Sequence, residues 1–129
     1  MKRPSLLGMG VLSLVLLALS VLPSRADVPT VSIQGPIEFK ANQPFSITLG
    51  IRHHGNNFIH HISKLAIYVD GKEEKVWEYS WRKHPKEENW SISYELALDQ
   101  RASVSAIAIC NLHGPSKEAI LVVVPGSSR

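Results

Sequence analysis

Sulfur is scarce in this sequence: one cysteine, Cys110, and two methionines, Met1 and Met9. A lone cysteine excludes an intrachain disulfide framework, an all-cysteine zinc site and any Cys-x-x-Cys redox centre. Charge is sparse too, at 19% of residues, against 44% hydrophobic. That balance excludes a disordered chain. No internal repeat, low-complexity tract or linker interrupts the stretch from Asp27 to Pro125, and the full chain of 129 residues accommodates one ordinary domain.

What is present begins with the N-terminus. Lys2-Arg3 precede an apolar run from Leu6 to Leu22, and small residues follow at Ser24 and Ala26. A basic start, an apolar stretch and small residues at a cleavage position read as a secretory signal peptide over residues 1–26. The competing reading is an uncleaved membrane anchor, since the run reaches about the minimum for a span, roughly 17 residues. Cleavage after Ala26 leaves 103 residues (129 less 26), residues 27–129, exported to the periplasm or secreted. Lys2, Arg3 and Arg25 leave with the leader, so the 14 basic residues become 11 and balance the 11 acidic ones. The basic whole-chain balance therefore carries no nucleic-acid signal.

The remainder reads as strands. Phe45, Ile47, Leu49 and Ile51 alternate with Ser46, Thr48 and Gly50, the period-2 pattern of a half-buried strand. Leu65 to Val69 alternates likewise and ends at Asp70-Gly71, a hairpin signal. Val76 to Trp81, Trp90 to Leu98, Val104 to Ile109 and Ala119 to Val124 complete the set, while Pro29, Pro36 and Pro44 punctuate two short edge-like strands before it. About seven short strands at this spacing predict an all-β, immunoglobulin-like antiparallel sandwich. The polar connection Lys83-His84-Pro85-Lys86 predicts a solvated His84 with no ligand role.

Five of the six histidines fall in two places. One is His53-His54-Gly-Asn-Asn-Phe-Ile-His60-His61, a glycine- and asparagine-rich loop leading into a strand; the other is Cys110-Asn-Leu-His113-Gly, at a strand end. Loops at one end of a sandwich converge on positions set by the sheets behind them. Thiolate with several imidazoles suits iron, copper or zinc and disfavours calcium. Each motif alone also reads as ordinary structure, a surface histidine or a small buried thiol.

The pair of motifs, His54-x5-His60-His61-Ile62 followed by Cys110-Asn111-x-His113-Gly114, resembles the superoxide reductases: the neelaredoxins and the catalytic domain of the desulfoferrodoxins. The resemblance implies a mononuclear non-haem iron with histidine nitrogens around it and an axial thiolate. Carried over, His54, His60 and His113 are metal ligands through nitrogen and Cys110 through sulfur, and His53 and His61 point away. It further implies superoxide as the small substrate, its reduction to hydrogen peroxide, an electron-donor protein and a homo-oligomer. Three positions depart from the family pattern. Asp27 and Ala26 stand where the family has a fourth histidine and a functional lysine, leaving water, Asp27 or a new N-terminus to fill the vacancy. Gly55 replaces a proline, and Pro115-Ser116-Lys117 replaces Leu-Trp-Glu. Two other readings stay open. One is a degenerate, non-catalytic metal-binding module. The other is a cupredoxin-like copper electron carrier, which lacks an axial methionine here because both methionines lie in the leader.

Overall fold

A computed structural model describes residues 28–127; the leader, its cleavage position and Asp27 lie outside the described residues. Among these, no helix is present. The nine strands are β1 (Thr30–Gln34), β2 (Glu38–Phe39), β3 (Pro44–Arg52), β4 (Ile62–Val69), β5 (Lys72–Glu78), β6 (Asn89–Ala97), β7 (Ala102–Cys110), β8 (Gly114–Pro115) and β9 (Ala119–Pro125). They form two sheets. One has the order β1-β3-β6; the other runs β2-β9-β7-β4-β5, with β8 added to β7. The all-β sandwich expected from the sequence is the fold observed.

Alternation builds the core. Ile47, Leu49 and Ile51 of β3 face inward and are buried, because antiparallel pairing to β1 and β6 holds β3 in one register along its length. Opposite them lie Leu65 and Ile67 of β4, Val104, Ala106 and Ala108 of β7, and Val123 of β9. Within β4 the pairing with β7 slips between Ile62 and Lys64. That bulge, at Ser63, lets Ile62 and Leu65 both reach the core although they sit three apart.

The strand read from Val76 starts four residues earlier, at Lys72. Asp70 (φ 50) and Gly71 (φ 79) both adopt left-handed backbone, as a two-residue hairpin turn requires, so pairing resumes at once with Val69 opposite Lys72. The sequence hides this because β5 ends its sheet, where charged side chains are welcome. The same strand stops at Glu78, short of Trp81. Three connections gather at one end of the sandwich: β3 to β4 (residues 53–61), β5 to β6 (residues 79–88) and β7 to β8 (residues 111–113).

Candidate metal centre

Strand parity decides which histidine of the first pair faces in. His53 continues the inward series Ile47, Leu49, Ile51 and is only 1% exposed. Its backbone N–H donates to Glu88 O at 2.9 Å, extending the β3–β6 ladder by one residue. His54 therefore faces out. Its side chain is 72% exposed, and its Nδ1 lies 3.3 Å from a carboxylate oxygen of Glu88, which also sits 3.6 Å from Arg52. The structure thus groups His53, and not His54, with His60 and Cys110. Six residues separate His53 from His60, and five separate His54 from it, as in the family spacing.

Beyond His53 the chain turns through Gly55, whose φ of 76 suits a residue without Cβ, and returns to His60. The Gly55 carbonyl accepts from His60 Nδ1–H at 3.2 Å. A carbonyl has no proton to give, so His60 carries its proton on Nδ1 and presents Nε2. His53 is set the same way. Asn56 Nδ2 donates to His53 O at 2.9 Å and to Glu87 O at 3.0 Å, which fixes Asn56 Oδ1 as an acceptor. That oxygen lies 2.6 Å from His53 Nδ1.

The sulfur arrives from the other sheet. Cys110 ends β7 on its inward face and is 1% exposed. One ligand atom each from His53, His60 and Cys110 lie within 4.8 Å of one another. His113, on the exposed side, places Nδ1 3.0 Å from His60 Nε2 and 3.5 Å from Cys110 Sγ. The structure thus brings together three of the four residues singled out from sequence, His60, Cys110 and His113, and adds His53. This soft, mixed nitrogen and sulfur set fits a transition metal or zinc.

Asn111 locks the two halves. Its Oδ1 accepts from His61 N at 2.9 Å, its Nδ2 donates to Ile59 O at 2.7 Å, and its own N–H donates to His61 O at 3.0 Å. Those bonds bracket His60 and fix its height above Cys110. His61 is buried and turns to the other side, where its ring stacks on His84 at 4.9 Å. His84 is half-buried and donates through Nδ1 to Ser80 O at 3.0 Å, so the loop expected to be solvated packs on the centre's flank. Sequence reasoning assigned no role to Asn56 or Asn111. Parity along β3 would have found His53; the asparagine bonds depend on loop geometry that no local pattern encodes.

A sequence model of the family described as desulfoferrodoxin matches residues 24–118. Among curated proteins, none matches the sequence. Among solved structures, a superoxide reductase (neelaredoxin) from Ignicoccus hospitalis is 25% identical, with a TM-score of 0.66 over 84% of this chain and 90% of that one. A candidate superoxide reductase from Thermotoga maritima is 19% identical, with a TM-score of 0.58 over 80% and 89%. A CARDB domain from Pyrococcus furiosus, crystallised with di-metal ions, is 17% identical, with a TM-score of 0.59 over 81% and 97%. The last two show a shared fold alone.

Proposed function

This chain belongs to the desulfoferrodoxin family, and we propose that it is an exported mononuclear non-haem iron protein that reduces superoxide to hydrogen peroxide. The observation that carries this reading is the convergence of His53, His60 and Cys110 within 4.8 Å, with His113 alongside. Likeness to the Ignicoccus superoxide reductase supports it. Iron held by this donor set would supply the one-electron couple that the reaction requires.

The chain's own residues prepare the site. Gly55 O and Asn56 Oδ1 hold the Nδ1 protons of His60 and His53, so that both Nε2 atoms offer a lone pair without prior deprotonation. Cys110 must give up its proton to serve as a thiolate. His113 is exposed, opening the centre to water, from which the two protons needed for peroxide can be drawn. Mature neutrality gives no global attraction for an anion, so any steering of superoxide is local; Arg52 is engaged by Glu88. The reading also calls for an electron-donor protein and an extracytoplasmic location, and it allows a homo-oligomer.

A second reading, a metal-binding module without turnover, draws on Asp27 and Ala26 in place of the family's histidine and lysine. Metal analysis, visible absorption and superoxide decay after pulse radiolysis separate the readings. Iron with a red thiolate band and catalytic superoxide loss is expected. Iron without superoxide loss would leave the module, and stoichiometric copper would leave the electron carrier.

A further inference from the structure

Asn56 sits where two loops of the centre meet, and it makes three bonds there. Its Oδ1 lies 2.6 Å from His53 Nδ1, and its Nδ2 reaches both His53 O and Glu87 O. The first bond is short and acts on a ring that is itself buried. An imidazole can carry its one proton on either of two ring nitrogens, and a buried ring can also turn about its χ2 bond. Only one combination leaves a lone pair on the nitrogen facing Cys110 and His60. An acceptor anchored at Nδ1 selects it.

The anchor must itself be held, or it would follow the ring. Asn56 is anchored by Glu87, at the end of the β5–β6 connection. The same connection is tied to the centre by Glu88 O, which accepts from His53 N, and by the stack of His84 on His61. We propose that Asn56 is a positioning residue that holds His53 with its proton on Nδ1 and its Nε2 toward Cys110, and that the β5–β6 connection sets the metal affinity of the centre through it. This rests on the metal-centre reading above. The wider principle is that the outer hydrogen bond on a ligating imidazole fixes tautomer and orientation, and its removal costs about 10- to 100-fold in metal affinity.

Two substitutions divide ring-holding from loop-bracing. Asn56→Ala removes all three bonds. Asn56→Asp keeps an acceptor for His53 Nδ1–H but gives up both donations to carbonyls and sets a carboxylate against them. Three measurements on the purified protein follow: the His53 tautomer in the metal-free form by long-range proton–nitrogen correlation NMR, Fe2+ affinity by competition with a chelating dye, and thermal midpoint. Wild type should show Nδ1–H at His53. Asn56→Ala should lose that single tautomer and about 10- to 100-fold in Fe2+ affinity. Asn56→Asp should restore tautomer and affinity while melting no higher than Asn56→Ala. Affinity would then rank apart from stability, which a purely structural role does not allow.

The proposal is overturned if Asn56→Ala keeps the wild-type tautomer and affinity. It is equally overturned if Asp and Ala weaken Fe2+ binding alike, since bracing through Nδ2 would then be the whole effect. Should wild type take up no Fe2+ while the tautomer still depends on residue 56, the iron reading falls and the ring-holding role stands.

Discussion

Replacing His53 with alanine should strip most of the metal affinity, whereas replacing His54 should leave it intact. The two residues are neighbours in sequence and opposites in structure: one is 1% exposed and faces Cys110, the other is 72% exposed and faces Glu88. Small structural metal sites bind with about 10–16 kcal/mol in total. An equal share among His53, His60, Cys110 and His113 is about 3 kcal/mol per donor, or about 100-fold in Kd. Loss of the imidazole also strands Asn56 Oδ1, at a cost to folding of about 1–3 kcal/mol. His54→Ala removes one exposed polar contact with Glu88, worth about 0–1 kcal/mol to stability, and none of the clustered donors. Competition titration with a chromophoric chelator reads both variants, with circular dichroism to establish that each is folded. His53→Gln serves if the alanine variant does not fold, since it keeps bulk and polarity without the ring. Equal metal loss in the His53 and His54 variants would refute the argument from strand parity. Loss in His54→Ala alone would restore the spacing argument.

Further outcomes test other parts of the structure. Cys110→Ser should abolish any thiolate-to-iron absorption in the red while the apolar core stays folded, checked by visible and far-ultraviolet spectra. Asn111→Ala removes the bonds to Ile59 O and His61 N that bracket His60, and chemical unfolding should show a loss of about 1–3 kcal/mol alongside weaker metal binding. His84→Ala deletes the stack on His61; metal content should be unchanged, with a stability cost of about 0.5–1.5 kcal/mol in the same assay. Burial raises the phenol pKa of Tyr79 from its ordinary 10.0. The unfolded chain therefore ionises first as pH climbs past 10.0, and stability present below that value is lost above it. Tyr79→Phe should flatten that part of an alkaline unfolding curve.

The parts of this molecule written in local patterns were legible, and the parts written in tertiary geometry were not. Alternation along β3 announced its sheet because one face of that strand lies on the core and the other is more open. Asp70-Gly71 announced its turn because few residues tolerate that backbone. Lys72 to Lys75 were missed, since an edge strand carries no apolar signature. In the centre, clustering of His and Cys marked the right two loops. Within the His53-His54 pair, motif spacing points to His54 and the alternation of β3 points to His53. Had Ile47, Leu49 and Ile51 been counted two residues further, His53 would have been chosen. Asn56 and Asn111 act across 31 and 50 residues of chain, a reach that no window of sequence exposes.

Cys110 and the histidines are mounted on supports of unequal stiffness. The cysteine ends β7, which is paired with β4 from Val104 to Cys110 on one side, and on the other with β9 over Ala102 to Ala106 and with β8 at Ile109 and Cys110. His53 keeps one ladder bond to Glu88 O, whereas His60 sits in a loop held by turn bonds and by the Asn56 and Asn111 side chains. Opening fluctuations draw on the weakly held parts of a fold long before they reach a central strand. An ion seated here would lose the loop-borne His60 before Cys110 or the ladder-held His53. Release and recapture would then run on different clocks: brief, frequent excursions with part of the donor set let go, and rare escapes that wait on the strands themselves coming apart.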